Sequence, residues 1–161
     1  NISSKLIITW LKEIHYDKNI KIDNITITIQ KELADRLISS KNCKEYGRIS
    51  VYTQLLSNVN KLLELSPSNF HPKPKVFSSV INITPLKKPR YKVNLKTFEK
   101  IVKQAFGNRR KMLRQSLKNL GGDKLLETSN INSSLRAENL SVEDFCIISN
   151  IFDKKFKLLK S

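Results

Sequence analysis

Ile25-Thr26-Ile27-Thr28-Ile29 alternates strictly between apolar and polar, and all five residues are β-branched. That pattern suits a pleated strand, whose side chains alternate between two faces, and is poorly matched to a helix. The chain therefore contains a sheet. Upstream, Leu6, Ile7, Trp10, Leu11 and Ile14 fall at helical spacing, so Ile2 to Ile14 reads as a helix with Ser3 or Ser4 as cap. His15 to Asn19 is a polar connection. Downstream, Gln30 to Ser39 switches to helical spacing through Leu33, Leu37 and Ile38. A loop from Lys41 to Arg48 follows, and Ile49 to Leu56 is helical again. Val59 to Leu65 and Val76 to Ile83 are two more strands, separated by a proline-studded loop. The succession of strands and helices is the texture of an α/β sheet domain, seen in part.

Composition shifts after Thr84. Pro85 and Pro89 bracket Lys87-Lys88, which reads as a linker, and the expected division is an α/β unit over 1–86 and a helical unit over 87–161. In the second unit Phe98, Ile101, Val102, Ala105 and Phe106 form one apolar stripe. Gly107-Asn108 ends that helix. Arg109 to Leu120 reads as another, closed by Gly121-Gly122. The last helix has Ser141 as N-cap, Asp144 at the capping-box position and Leu140 placed to staple to Phe145. Val142, Phe145, Cys146, Ser149 and Phe152 then face inward, and Lys154 to Ser161 reads as a fraying basic tail.

Charge narrows the choice of partner. The formal net charge is +16, from 30 Lys and Arg against 14 Asp and Glu. Between Leu65 and Gly122 fourteen basic residues face a single acid, Glu99, whereas the flanking segments are nearly balanced. Such segregation points to a polyanion, of which nucleic acid is the commonest. Four glycines leave little material for a glycine-rich phosphate cradle. Apolar runs such as Leu6-Ile7-Ile8 fall far short of the roughly 20 residues that span a bilayer, and no signal-peptide cleavage site follows Asn1. Cys43 and Cys146 lack CxxC spacing and suit two free thiols of an intracellular, cytoplasmic protein. His15 and His71 are the only histidines, too few for a zinc site or a Cys/His nucleophile, so no metal is expected. Asn1 is not an initiator methionine, and the chain is expected to be a piece of something longer.

Two groups could carry a function. In the loop from Ser66 to Val76, three prolines stiffen the backbone around Phe70, with Lys73 and Lys75 alternating with the last two. A rigid aromatic beside positive charge can stack an unpaired base and hold its phosphates; it can also simply pack under the sheet. The second group is Arg109, Arg110, Lys111, Arg114 and Lys118. On a helix Arg110, Arg114 and Lys118 would form one charged stripe, with Leu113, Leu117 and Leu120 on another face. Such a rail can track a nucleic-acid backbone or remain a solvated face.

These residues together resemble the ribosomal RNA small-subunit adenine dimethyltransferase family, the 16S rRNA dimethyladenosine transferases. The resemblance runs from Asn1 to about Phe152. It rests on Gln30-Lys31-Glu32-Leu33-Ala34-Asp35-Arg36-Leu37, Tyr46-Gly47-Arg48-Ile49-Ser50-Val51, Phe70-His71-Pro72-Lys73-Pro74-Lys75-Val76 with Ser78 and Ser79, Ala105-Phe106-Gly107-Asn108-Arg109-Arg110-Lys111-Met112-Leu113-Arg114, and Arg136-Ala137-Glu138-Asn139-Leu140-Ser141. It implies a Rossmann-like methyltransferase sheet followed by a small all-helical domain. It also implies methyl transfer from S-adenosylmethionine to the N6 amines of two adjacent adenines in small-subunit rRNA, on the pre-30S particle. The flipped adenine is sandwiched between two aromatics; Phe70 matches one, and the other is the Tyr of an Asn-Leu/Pro-Pro-Tyr motif. That motif and the cofactor loop precede the residues that Asn1-Ile2-Ser3-Ser4 match. The resemblance therefore implies a C-terminal portion: the last three strands, with Val76 to Ile83 central and antiparallel to its neighbours, plus the helical domain. Such a portion would neither bind the cofactor nor methylate alone. Two other functions fit the scaffold, a non-enzymatic RNA-binding or ribosome-assembly module and a resistance methyltransferase acting on large-subunit rRNA.

Overall fold

A computed structural model describes residues 2–156. The first helix, α1 (Ile2–Tyr16), runs two residues beyond Ile14, so His15 and Tyr16 belong to its last turn instead of opening the connection. Strand β1 (Ile25–Gln30) follows, then helices α2 (Lys31–Ile38) and α3 (Arg48–Leu56), and strands β2 (Ser57–Leu65) and β3 (Ser78–Pro85). The three strands form one sheet in the order β1-β3-β2, and β3 is antiparallel to both neighbours. The expected central strand is thus observed. Its start is corrected: Val76 and Phe77 lie outside the sheet and are exposed. The Phe77 carbonyl accepts a hydrogen bond from the Lys31 backbone N–H at 2.9 Å, which diverts the chain onto the first turn of α2.

Register explains the two faces of the sheet. Ile25 pairs with Ile83, Ile27 with Ile81 and Ile29 with Ser79, so the isoleucines of β1 and β3 share the face packed against α2, within the core to which α1 and α3 also contribute. Ile81 and Ile83 are fully buried there. Thr26, Thr28, Asn58 and Asn60 take the opposite face and are exposed. A bulge between Lys61 and Leu63 shifts the register of β2, leaving Leu62 and Leu63 exposed.

Residues 86–94 are pinned, although their composition reads as a linker. The backbone N–H groups of Leu86 and Arg90 donate to the carbonyls of Leu56 and Leu55, and the Arg90 guanidinium donates to the Gln54 carbonyl and the Asn58 side chain. Beyond them every described regular element is helical: α4 (Leu95–Gly107), α5 (Leu113–Ser116), α6 (Gly122–Thr128) and α7 (Val142–Ile151). Asn94 caps α4, its side-chain oxygen accepting from Lys96 and Thr97. Phe98, Ile101, Val102 and Ala105 are buried, as the stripe requires, in a core shared with Phe145 and Ile148 of α7, which packs on α4. The Phe98 ring stands edge-on to Tyr52 at 5.9 Å and Phe106 meets Tyr46 at 6.2 Å, so one hydrophobic core runs through both parts of the chain.

The helix read over Arg109 to Leu120 is not formed. It is replaced by a turn, the four-residue α5, and a short 3-10 turn at Lys118–Leu120. The physical cause is competition for backbone groups. Leu113 N–H donates to the Leu135 carbonyl and Arg114 N–H to the Ser133 carbonyl, while the Gln104 side chain occupies the Ser116 carbonyl. Gly121 then adopts φ 127°, open to glycine at little cost, and α6 begins where the sequence suggested an end.

At α7 the capping box is present: Ser141 Oγ accepts from the Asp144 N–H at 3.1 Å, and the Asp144 carboxylate accepts from the Ser141 N–H at 2.8 Å. Ser141→Ala is expected to cost about 1 kcal/mol of stability, the usual worth of a lost N-cap, measured by urea denaturation. The expected tail from Lys154 begins within a π-helical turn at Phe152–Phe156, and its residues 157–161 lie outside the described residues.

Candidate functional site

The loop between β2 and β3 leaves the sheet at the end where Leu65 and Gln30 flank Ser78. Pro67–Asn69 forms one 3-10 turn, and Phe70 follows in extended conformation, half-buried. The His71–Pro72 peptide bond is cis. Lys73 and Lys75 are exposed, and among the described residues neither forms an ion pair.

The far end of this loop walls a cleft of about 430 Å³, with Lys75, Val76 and Phe77 on one side and Gln30, Lys31, Glu32, Asp35 and Glu45 on the other. Its rim is braced by an alternating charge network. Lys31 reaches Glu64 at 2.7 Å and Asp35 at 3.4 Å, and Lys61 reaches Asp35 at 2.8 Å and Glu64 at 3.4 Å. The hydrogen bond to Glu64 raises the Lys31 ammonium to about 12, and the lysine partners hold Asp35 and Glu64 below the usual carboxylate range. Both carboxylates are thus favoured in the charged form, as acceptors for lysine. This network ties α2 to β2. Residue spacing alone gave no hint of it, because Glu64 lies 33 residues from Lys31.

The five basic residues picked out in the helical part divide into two groups. Arg109 is engaged: its Nε donates to Glu138 at 3.1 Å and its guanidinium also donates to the carbonyls of Lys44 and Tyr46. Around it, the Tyr46 hydroxyl donates to the Leu140 carbonyl at 3.0 Å, Asn42 N–H donates to the Glu138 carbonyl, and the Asn139 side chain donates to that of Asn42. Tyr46-Gly47, Arg109 and the 136–141 segment thus converge into a latch between the sheet part and the helical part. Burial pushes the Tyr46 hydroxyl well above its ordinary range, so it stays a donor.

Arg110, Lys111, Arg114 and Lys118 are all exposed, and among the described residues no carboxylate pairs with them. Leu113, Leu117 and Leu120 are buried beneath. The separation into a charged outside and an apolar inside survives, although a turn carries it in place of a helix. Glu99, the one acid of the basic stretch, is taken by Lys12 of α1 at 2.7 Å. The exposed cations therefore form no ion pair among the described residues, which is the condition under which they can meet phosphate.

No glycine-rich turn of the kind that cradles a nucleotide-type methyl donor is formed among the described residues. None of the four glycines follows a strand as a turn, and a Cβ placed at Gly47 or Gly107 would meet nothing closer than 3.9 Å, so neither marks a close backbone approach. Among the described residues no group of three or more His, Cys, Asp or Glu side chains could hold a metal ion. No described helix is long and apolar enough to cross a membrane. Cys43 and Cys146 are free thiols, and burial pushes Cys146 up to about 12.

Comparison with known proteins gives three findings. The family model described as ribosomal RNA adenine dimethylase matches residues 1–154. The ribosomal RNA small subunit methyltransferase A of Ehrlichia chaffeensis is 44% identical over 152 residues, covering 93% of this chain and 56% of that protein; its counterpart in Buchnera aphidicola is 44% identical over 162 residues, covering 99% and 58%. The crystal structure of a dimethyladenosine transferase from Plasmodium falciparum superposes with a TM-score of 0.73 at 22% identity, covering 83% of this chain and 58% of that one, a likeness of fold. The chain spans about half the length of the curated relatives it matches.

Proposed function

Since the chain belongs to the ribosomal RNA adenine dimethylase family, we propose that it is the C-terminal portion of a small-subunit rRNA adenine N6-dimethyltransferase that uses S-adenosylmethionine. On this reading 1–86 completes the Rossmann-like sheet and 87–161 is an RNA-binding domain. Two observations support the division of labour. β1 pairs only with β3 among the described strands, so its other edge is free to continue a sheet. None of the four glycines follows a strand as a turn, and on this reading the methyl donor is assigned to the rest of the protein.

The observation that carries the RNA reading is the unpaired surface of Arg110, Lys111, Arg114 and Lys118 over a buried leucine underside. These residues and Lys73 and Lys75 contact rRNA phosphates, in the pre-30S particle and in the cytoplasm. Phe70 stacks on the target adenine, steered there by the stiff loop. Arg109 serves the site indirectly, through Glu138 and the Lys44 and Tyr46 carbonyls, by fixing the basic turn against the sheet part. The names of the relatives favour the small subunit over a large-subunit resistance enzyme.

Arg110→Gln combined with Arg114→Gln tests the phosphate contacts in the full-length protein. Each lost contact should lower the log–log salt slope of RNA binding by about 1 and weaken all RNA sequences alike. Binding is measured over a salt series, with circular dichroism as the folding control. An unchanged slope and affinity would reduce the turn to a solvated surface. A non-enzymatic assembly module would show the same slope change with no methyl transfer by the full-length wild type.

A further inference from the structure

A second groove among the described residues has no part in the site above. It measures about 870 Å³ and lies at the opposite end of the sheet, where β1 begins and β3 ends. Ile25 pairs with Ile83 at this end and Gln30 with Ser78 at the other, so the two ends stand about 17 Å apart along the strands. Ile14, Ile20 and Leu86 provide an apolar floor, half-buried. Lys18 and Lys21 come from the connection after α1, and Lys87 and Lys88 from the strap that Pro85 and Pro89 hold.

We infer that this groove is a second docking site for the RNA backbone, receiving phosphodiesters on its four lysines and a ribose on its floor; the inference rests on the RNA-substrate reading above.

Charge is the first argument. Asp23 is the single acid lining the groove, and none of the four lysines forms an ion pair among the described residues. Elsewhere in this protein converging lysines have carboxylates between them, as Lys31 and Lys61 have Asp35 and Glu64. Here two chain segments bring like charges together with too little to offset them, which is tolerable only with water or a polyanion in the groove. The second argument is His15. Its Nδ1–H donates to the Leu11 carbonyl at 2.8 Å, which leaves Nε2 of the neutral ring as an acceptor. His15 lines the groove, but that atom is itself buried and has no partner among the described residues, so a donor in the groove reaches it only after the ring shifts outward. A ribose 2′-hydroxyl is a donor of the right size, and it is the group that separates RNA from DNA.

The test uses the full-length protein. Amine-reactive labelling with mass spectrometry is run with and without a small-subunit rRNA fragment. Lys18, Lys21, Lys87 and Lys88 should label in the free protein and lose most of that reactivity when RNA is added. Changing all four lysines to Gln should lower the log–log salt slope by about 3 to 4, and changing all four to Arg should leave it at the parental value. His15→Phe should shrink the preference for RNA over DNA of the same sequence. Lysines that are already unreactive in the free protein would mean another part of that protein covers the groove, and the inference fails. Reactive lysines that RNA does not protect, with a parental slope in the Gln variant, overturn it while the Arg110 and Arg114 contacts stand. Wild-type binding with no salt dependence would defeat the RNA reading itself.

Discussion

Phe70→Ala in the full-length protein is expected to lower the rate of RNA methylation by roughly one to two orders of magnitude. Stacking of a base on an aromatic ring is worth about 1–3 kcal/mol, and each 1.36 kcal/mol is a factor of ten in rate. The ring can be spared by the fold: Phe70 is half-buried, lies outside the hydrophobic core and follows a turn whose bonds are made by Ser66, Pro67 and Asn69. Stability should therefore move little, and the salt slope of RNA binding should not move at all, because no charge is lost. Methyl transfer to small-subunit rRNA, followed beside a urea melt, separates the outcomes. An unaltered rate, or a protein that unfolds, would make Phe70 a packing residue.

The largest stability effect belongs to a different phenylalanine. Phe98→Ala should destabilise the protein by about 3–5 kcal/mol, the range for deleting a buried aromatic ring and leaving a cavity. Phe98 is fully buried, and its ring packs edge-on against Tyr52 of α3. The gap would open between the sheet part and α4, where neither helix can close in without disturbing the other's contacts. Against a typical total of about 5–15 kcal/mol this is a large fraction. The urea midpoint should fall with the m-value unchanged. A loss under about 1 kcal/mol would show that the two parts of the chain do not depend on this contact.

The contrast between these phenylalanines shows what the sequence makes legible. Phe98 belongs to a five-residue apolar stripe, and its burial follows from helical period alone. The alternation in β1 likewise fixes which side chains face the helices, since a one-residue slip would put every isoleucine in water. β2 is harder to read because its bulge turns Leu62 and Leu63 outward, against their polarity. The segment from Arg109 to Leu120 has the leucine spacing of a helix, but carbonyls at Ser133 and Leu135 capture the N–H groups that begin α5. Long-range capture of this kind leaves no local signal, and α6, which starts at Gly122, had none either.

The candidate site follows the same rule. The excess of cations between Leu65 and Gly122 is visible in composition, as is the stiffness of the Phe70 loop. Which cations are already engaged is not visible. Arg109 and Arg110 are adjacent and chemically identical, yet one is bound by a glutamate 29 residues away and the other is exposed without a partner. Arg90 similarly counts toward the basic stretch while its guanidinium serves Gln54 and Asn58.

The latch of Arg109, Glu138 and Tyr46 joins the aromatic contacts of the shared core in holding the basic turn against the sheet. Two binding elements on a flexible tether adapt to many ligands, at an effective concentration set by tether length. Here the core replaces the tether, and the two proposed elements are held like the fixed jaws of a caliper. On the proposed RNA-binding role, an RNA that offers its unpaired base and its phosphates at the matching separation would engage both at once, and one with the same sequence but a longer or shorter stem would engage only one. Discrimination would then arise from the spacing of contacts that are individually blind to sequence.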